Sequence, residues 1–156
     1  MPRHDNEVTI EDAVIPPPPW RNFAGREDIY NREGDRNFVI FLTPEMAEIL
    51  SKDGWNVKQT KPRGEDEFQQ PYLEVKVKFG DFPPRIIMVT SGGRNQLGAD
   101  LVEMLDAVDI ETVDVTIRPY DWQLADGRAG RSAYLKIMYV KIVEEYLDVK
   151  WGAEYE

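Results

Sequence analysis

The 156-residue chain contains no cysteine, which excludes disulfides, cysteine nucleophiles and thiolate zinc sites together. Histidine occurs once, as His4, so neither a histidine-based triad nor a multi-histidine metal site can form. Any catalysis would have to rest on carboxylates, Lys, Ser, Thr or Tyr, and no cofactor is expected. No apolar run approaches the about 18 residues of a membrane-spanning helix. Residues 1–12 mix charges and lack the apolar stretch of a signal peptide. The expected location is therefore the cytoplasm. A phosphate-loop reading of Ser91-Gly92-Gly93-Arg94 fails, because no Gly-Lys-Ser/Thr follows and no Gly-x-Gly-x-x-Gly occurs. The glycine pair suits a turn instead.

Hydrophobic residues make up 42% and aromatics 11% of the chain, enough for one globular domain with a sizeable core. The formal net charge of −10 argues at first against a nucleic-acid partner. Its distribution argues otherwise. Residues 1–20 carry one Arg against four acids, residues 142–156 one Lys against five, and residues 97–114 six acids and no base. Residues 52–63 and 115–141 each sum to +3. The acid is thus concentrated in segments separate from the basic ones.

Strand candidates lie at 7–15, a loose alternation, at 36–42, an apolar run that reads as a buried strand, and at 55–61, 72–79, 85–90, 112–122 and 133–143, for five or six strands in all. Pro16 to Pro19 interrupt the first and favour a rigid polyproline spacer. Thr43-Pro44-Glu45 opens a helix that Gly54 closes. A second short helix is expected over 100–108. With no βαβ rhythm, this composition of elements suits a mostly β fold, an OB-like antiparallel barrel with one or two short helices. The expected organisation is a flexible N-terminus at 1–6, a binding domain at 7–143 and an acidic C-terminal tail at 144–156.

The strongest pattern is basic-aromatic and recurs on several strands. In 113–122, Val113, Val115 and Ile117 share one face, and Thr116, Arg118, Tyr120 and Trp122 the other. In 72–79, Tyr72 shares a face with Lys76 and Lys78. Trp55 neighbours Lys58, Lys61 and Arg63. Arg128 and Arg131 are expected in a glycine-rich loop, and Tyr134 and Lys136 alternate after it. Lys and Arg in one groove would neutralise phosphates, and flat rings would stack on unpaired bases without demanding a sequence. The competing reading is that some of these rings, Trp55 above all, are core. Two other functions compete. Glu74-Val75-Lys76 with Asp53 or Asp66 could serve a metal-dependent nuclease, although such a triplet is more often a cross-strand ion pair. The sheet aromatics could instead contact a protein, as in a virion or replisome module. Glu103, Asp106, Asp109, Glu111 and Asp114 lack the spacing of a calcium loop and read as a solvated face.

Six blocks carry a family likeness: Trp20-Arg21-Asn22-Phe23-Ala24-Gly25, Gly34-Asp35-Arg36-Asn37-Phe38, Asp53-Gly54-Trp55-Asn56-Val57-Lys58, Asp109-Ile110-Glu111-Thr112-Val113-Asp114, Ile117-Arg118-Pro119-Tyr120-Asp121-Trp122 and Ala133-Tyr134-Leu135-Lys136. Through them the chain resembles the OB-fold single-stranded DNA-binding proteins of tailed bacteriophages. The resemblance implies a non-enzymatic protein that coats exposed single strands in replication or recombination and contacts partner proteins through an acidic C-terminus. It implies no membrane partner and is compatible with a homo-oligomer such as a dimer. The chain departs from the bacterial relatives in having no Gly/Gln-rich linker and in ending Glu154-Tyr155-Glu156 rather than Asp-Pro-Phe. The residues expected to contact DNA are Arg118, Tyr120 and Trp122 first, then Tyr72, Lys76, Lys78, Lys58, Lys61, Arg128, Arg131 and Lys136. Removal of 144–156 is expected to tighten binding.

Overall fold

In the computed structural model, which describes residues 7–29, 31–61 and 69–144, the alternating segments become strands of a single sheet. In chain order these are β1 (Val8–Ala13), β2 (Arg21–Asn22), β3 (Arg36–Phe41), β4 (Val57–Gln59), β5 (Pro71–Val77), β6 (Arg85–Thr90), β7 (Gly93–Leu97), β8 (Ile110–Gln123) and β9 (Ala129–Ile142). One α-helix, α1 (Pro44–Lys52), and one 3-10 helix (Val102–Asp106) complete the described residues. The fold is mostly β, as its alternation implies. Strand number differs from expectation. The segment after Ser91 is not just a loop, because Gly93–Leu97 returns along β6 as a hairpin. Its polar sequence, Gly-Arg-Asn-Gln-Leu, hides it from any hydrophobic pattern.

The sheet runs β1-β8-β9-β5-β3-β2, with β4 added to β5, and with β6 paired to both β7 and β9. Strands β8 and β9 form a long antiparallel hairpin closed by the Asp126-Gly127 turn, where Gly127 takes φ +93. A positive φ there suits glycine because it has no Cβ to clash. The other edge of β9 takes β5 and then β6, both parallel.

One face of this sheet is the core. Leu73, Val75 and Val77 from β5, Val113, Val115 and Ile117 from β8, and Ala133, Leu135, Met138 and Val140 from β9 are all buried. Each such Val, Leu, Ile or Met side chain contributes about 1.5–3 kcal/mol relative to exposure. Helix α1 is capped as its sequence predicts: the Thr43 hydroxyl accepts from the Met46 N–H at 3.2 Å. Its Ala47 and Leu50 are buried. Trp55 is core as well, only 3% exposed.

The acidic segment 97–114 is partly scaffold. Asp106 accepts the Phe23 and Ala24 N–H groups at 2.8 and 2.9 Å. The buried Arg21 donates to the Val108 carbonyl at 2.6 Å. Burial pulls the Arg21 pKa below its usual value, against the opposing pull of Asp106 and Asp109. Asp106 therefore anchors β2 to the 3-10 helix rather than facing solvent. Among the described residues no helix is long and apolar enough to cross a membrane.

Candidate nucleic-acid interface

Pairing register brings the basic-aromatic residues into a row across the outer face. Arg118 on β8 pairs Tyr134 on β9, Tyr134 pairs Lys76 on β5, and Lys76 pairs Asn37 on β3. Directly paired residues share a face, so these four side chains project together, opposite the core. The Lys76 ammonium lies 6.0 Å from the Tyr134 ring centroid. Tyr120 meets Tyr134 edge-on, with centroids 5.8 Å apart. Tyr120 is 57% exposed, so its ring is open to solvent beside Tyr134.

A cleft of about 460 Å³ opens beside this row, lined by Lys78, Phe82, Arg118, Tyr120 and Tyr134 among others. A second cleft, of about 400 Å³, shares Lys78 and Tyr134 and continues past Lys76, Glu74, Asn37 and Arg36. Together they make a groove over β8, β9, β5 and β3. Its cations Lys76, Lys78 and Arg118 have no carboxylate partner among the described residues. Charges left unpaired beside exposed rings can neutralise a phosphodiester chain.

The remaining expected contacts divide. Trp122 lies on the same face, farther along the hairpin, with its indole N–H donating to the Ser132 hydroxyl at 3.1 Å. Tyr72 and Lys58 pair with each other at the opposite end of β5, about 13 Å from Lys76 at ~3.3 Å per residue. There Tyr72 packs edge-on against Trp20 at 5.3 Å. Lys58 and Lys61 are exposed and unpaired among the described residues, while Arg63 lies outside those residues.

Three cations from the expected set are engaged elsewhere. Arg128, in the hairpin turn, is bonded to Asp126 at 2.7 Å. Lys136 is bonded to Glu7 at 2.8 Å. Arg131 is not in a loop but in β9, and it alternates with Ala133 and Leu135 on the core side. Its guanidinium bonds Asp121 at 2.7 Å and Asp53 at 3.2 Å, and lies 5.7 Å from the Trp55 ring centroid. The hydrogen bond from Arg131 holds the Asp121 carboxyl below its usual pKa, and the same bond raises that of Arg131.

That arrangement also bears on the nuclease reading. Glu74 and Lys76 face the groove, but the Asp53 carboxylate accepts from the Trp55 indole at 3.0 Å and from Arg131. Asp66 lies outside the described residues. Among the described residues no three His, Asp or Glu side chains gather as metal ligands.

Arg36, Asn37, Tyr134 and Phe82 line the groove but are absent from the expected contacts; Tyr134 belongs to the basic-aromatic pattern, whereas Phe82 has no signal. It sits between turn residues, Asp81 and Pro83, with no alternation to give it a face.

Residues 3–154 match the model of one protein family, described as "Putative phage ssDNA-binding domain". The chain belongs to that family. The match spans nearly the whole sequence, and it agrees with the resemblance carried by the six short blocks. No curated protein matches the chain. Among solved structures, it is similar to gp2.5, a single-stranded DNA binding protein encoded by bacteriophage T7. The identity is 9%, with 97% of this chain and 95% of that chain covered, at a TM-score of 0.42. A likeness at that score does not establish a shared fold. What the family membership adds to the geometry is a ligand class, single-stranded DNA.

Proposed function

We propose that this phage-family domain binds single-stranded DNA without sequence preference, coating and protecting exposed strands in replication or recombination, and performs no catalysis. The observation that carries this reading is the convergence of Tyr120 and Tyr134 with Lys76, Lys78 and Arg118, cations with no carboxylate partner among the described residues, on one open face. Every base has a flat face, so ring stacking is indifferent to sequence and is available only where bases are not already paired. Lys and Arg add affinity by releasing counterions from the phosphates. Trp122 extends the platform along the hairpin, and Tyr72 with Lys58 and Lys61 extends it past the other end of β5.

An OB-like barrel is the architecture that serves this reading. An isolated bridge between Val14, just after β1, and Phe41 of β3 supports it. That bridge links the β1 end of the path β1-β8-β9-β5-β3-β2 to β3, the strand next to its other end. The domain is taken as 7–143, acting in the host cytoplasm, as a monomer or a homodimer. Residues 144–156 form the acidic tail, which competes with DNA for the groove or recruits replication and recombination proteins. Of the tail only Glu144 lies within the described residues, where its carboxylate accepts from the Ser91 N–H.

The test is competition. Labelled oligo-dT bound to the protein should be displaced by unlabelled single strands of any sequence and poorly by duplex. Displacement by duplex and single strand alike would overturn the stacking part of the reading. Binding that ignores salt would favour a protein partner instead.

A further inference from the structure

The β5–β6 connection has a geometry that the sheet alone does not require. Lys76 of β5 pairs with Tyr134, and Arg85 of β6 pairs with Ile137, both along the same edge of β9. Residues 77–84 therefore stand opposite only residues 135–136. Extended strand advances about 3.3 Å per residue, so most of this segment cannot lie in the sheet and must leave it. Its second half is Asp81-Phe82-Pro83-Pro84, leading into β6. The prolines cannot donate ladder hydrogen bonds and restrict the backbone.

What this turn presents is a ring. Phe82 is 63% exposed, although burying a phenyl side chain would be favourable by about 1.5–3 kcal/mol. It lines the cleft that Tyr120 and Tyr134 line from the strand side, with Lys78 and Arg118 at the same cleft and Asp81 as the one carboxylate there among the described residues. The cleft thus has an aromatic wall on the loop, an aromatic wall on the sheet and unpaired cations beside them.

Building on the proposed function, we infer that Phe82 closes a single-nucleotide subsite: one unpaired base is taken in between Phe82 and the Tyr120–Tyr134 pair, while Lys78 and Arg118 hold the adjoining phosphates. This differs from a base lying on an open platform, because the base has a ring on both sides. The occupant is a base of single-stranded DNA rather than an apolar peptide. Two unpaired cations in so apolar a cleft match a ligand that is flat and apolar on its faces and anionic along its backbone.

The test compares two probes on three proteins. Wild type, Phe82→Ala and Phe82→Trp are titrated with oligo-dT and with an abasic phosphodiester oligomer of the same length. Thermal melting should be unchanged in the variants, since Phe82 is exposed. The expected result is that Phe82→Ala loses about tenfold in affinity for oligo-dT and nothing for the abasic oligomer, and that Phe82→Trp restores oligo-dT binding. Wild-type affinity of Phe82→Ala for oligo-dT would overturn the subsite and leave the proposed function standing. An equal loss on both probes would also overturn it, by assigning Phe82 to the shape of the phosphate path. A wild type that binds neither probe would overturn the proposed function together with the subsite.

Discussion

The indole of Trp122 lies against Gly130, its direct partner across the β8–β9 hairpin: a Cβ on residue 130 would come within 2.6 Å of the ring carbon Cζ2 and 2.9 Å of Cε2. Glycine leaves the space that the ring occupies, and the ring covers the backbone that glycine leaves bare. Gly130→Ala should therefore push the indole off its strand and break its hydrogen bond to Ser132. Overpacking of this kind costs about 1–3 kcal/mol. Denaturant unfolding, with a shift in tryptophan emission, checks it. An alanine variant with unchanged stability and emission would mean that the ring has no fixed seat there.

The stacking rings should act as a unit. Tyr120→Ala, Tyr134→Ala and Trp122→Ala should each weaken oligo-dT binding by about 1–3 kcal/mol. Because Tyr120 and Tyr134 touch edge-on, removing either one already breaks the pair, so their double variant should lose less than the sum of the two single losses; contacting residues need not act additively. Additive losses in a double-mutant cycle would separate the two rings into independent contacts.

The cations should divide by what they already hold. Lys76→Ala should make the dependence of log affinity on log salt shallower by about 0.7, the single-strand value per neutralised phosphate. Arg131→Ala should leave that slope alone and lower stability instead, since Arg131 covers Trp55, a contact of the kind worth about 0.5–1 kcal/mol at exposed sites. A salt slope that falls with Arg131 would show that its ion pairs open to take a phosphate.

Acidification should expose the Asp121–Arg131 pair. The hydrogen bond from Arg131 depresses the folded-state pKa of Asp121, so the folded state holds this proton less tightly than the unfolded chain does. The resulting stability is fully present above the ordinary Asp pKa. It is lost as pH falls from that value through the depressed one. Asp121→Asn should be less stable than wild type at neutral pH, and the gap should close on acidification. A gap that stayed constant down to acid pH would remove this pair from the pH dependence.

Much of the scaffold was legible because burial imposes a period of two on a half-buried strand. Val113, Val115 and Ile117 were assigned to the core on that ground, and the Thr43 cap on its side-chain chemistry. Trp55 is ambiguous in the sequence, since a ring next to Lys58 and Lys61 could face either way, and its burial within the core cluster, beneath Arg131, decides for the core. The site was legible as strand faces but not as neighbours. Register, which no local pattern specifies, placed Arg118 beside Tyr134 and Tyr134 beside Lys76. Arg131 reads as a loop residue because it ends the glycine-containing stretch of Gly127 and Gly130. The second glycine proved to be the seat of Trp122 within a strand. Phe82 carried no signal at all, since its place depends on β5 and β6 sharing one edge of β9.

Titration of intrinsic tryptophan fluorescence with oligo-dT at low and high salt, without Mg²⁺, tests the central claim most directly. The account predicts quenching that saturates at a defined site size and weakens as salt rises, because bases stack on exposed rings while phosphates meet unpaired cations. Absence of quenching, with no shift of the oligonucleotide in a parallel gel at low salt, would contradict it.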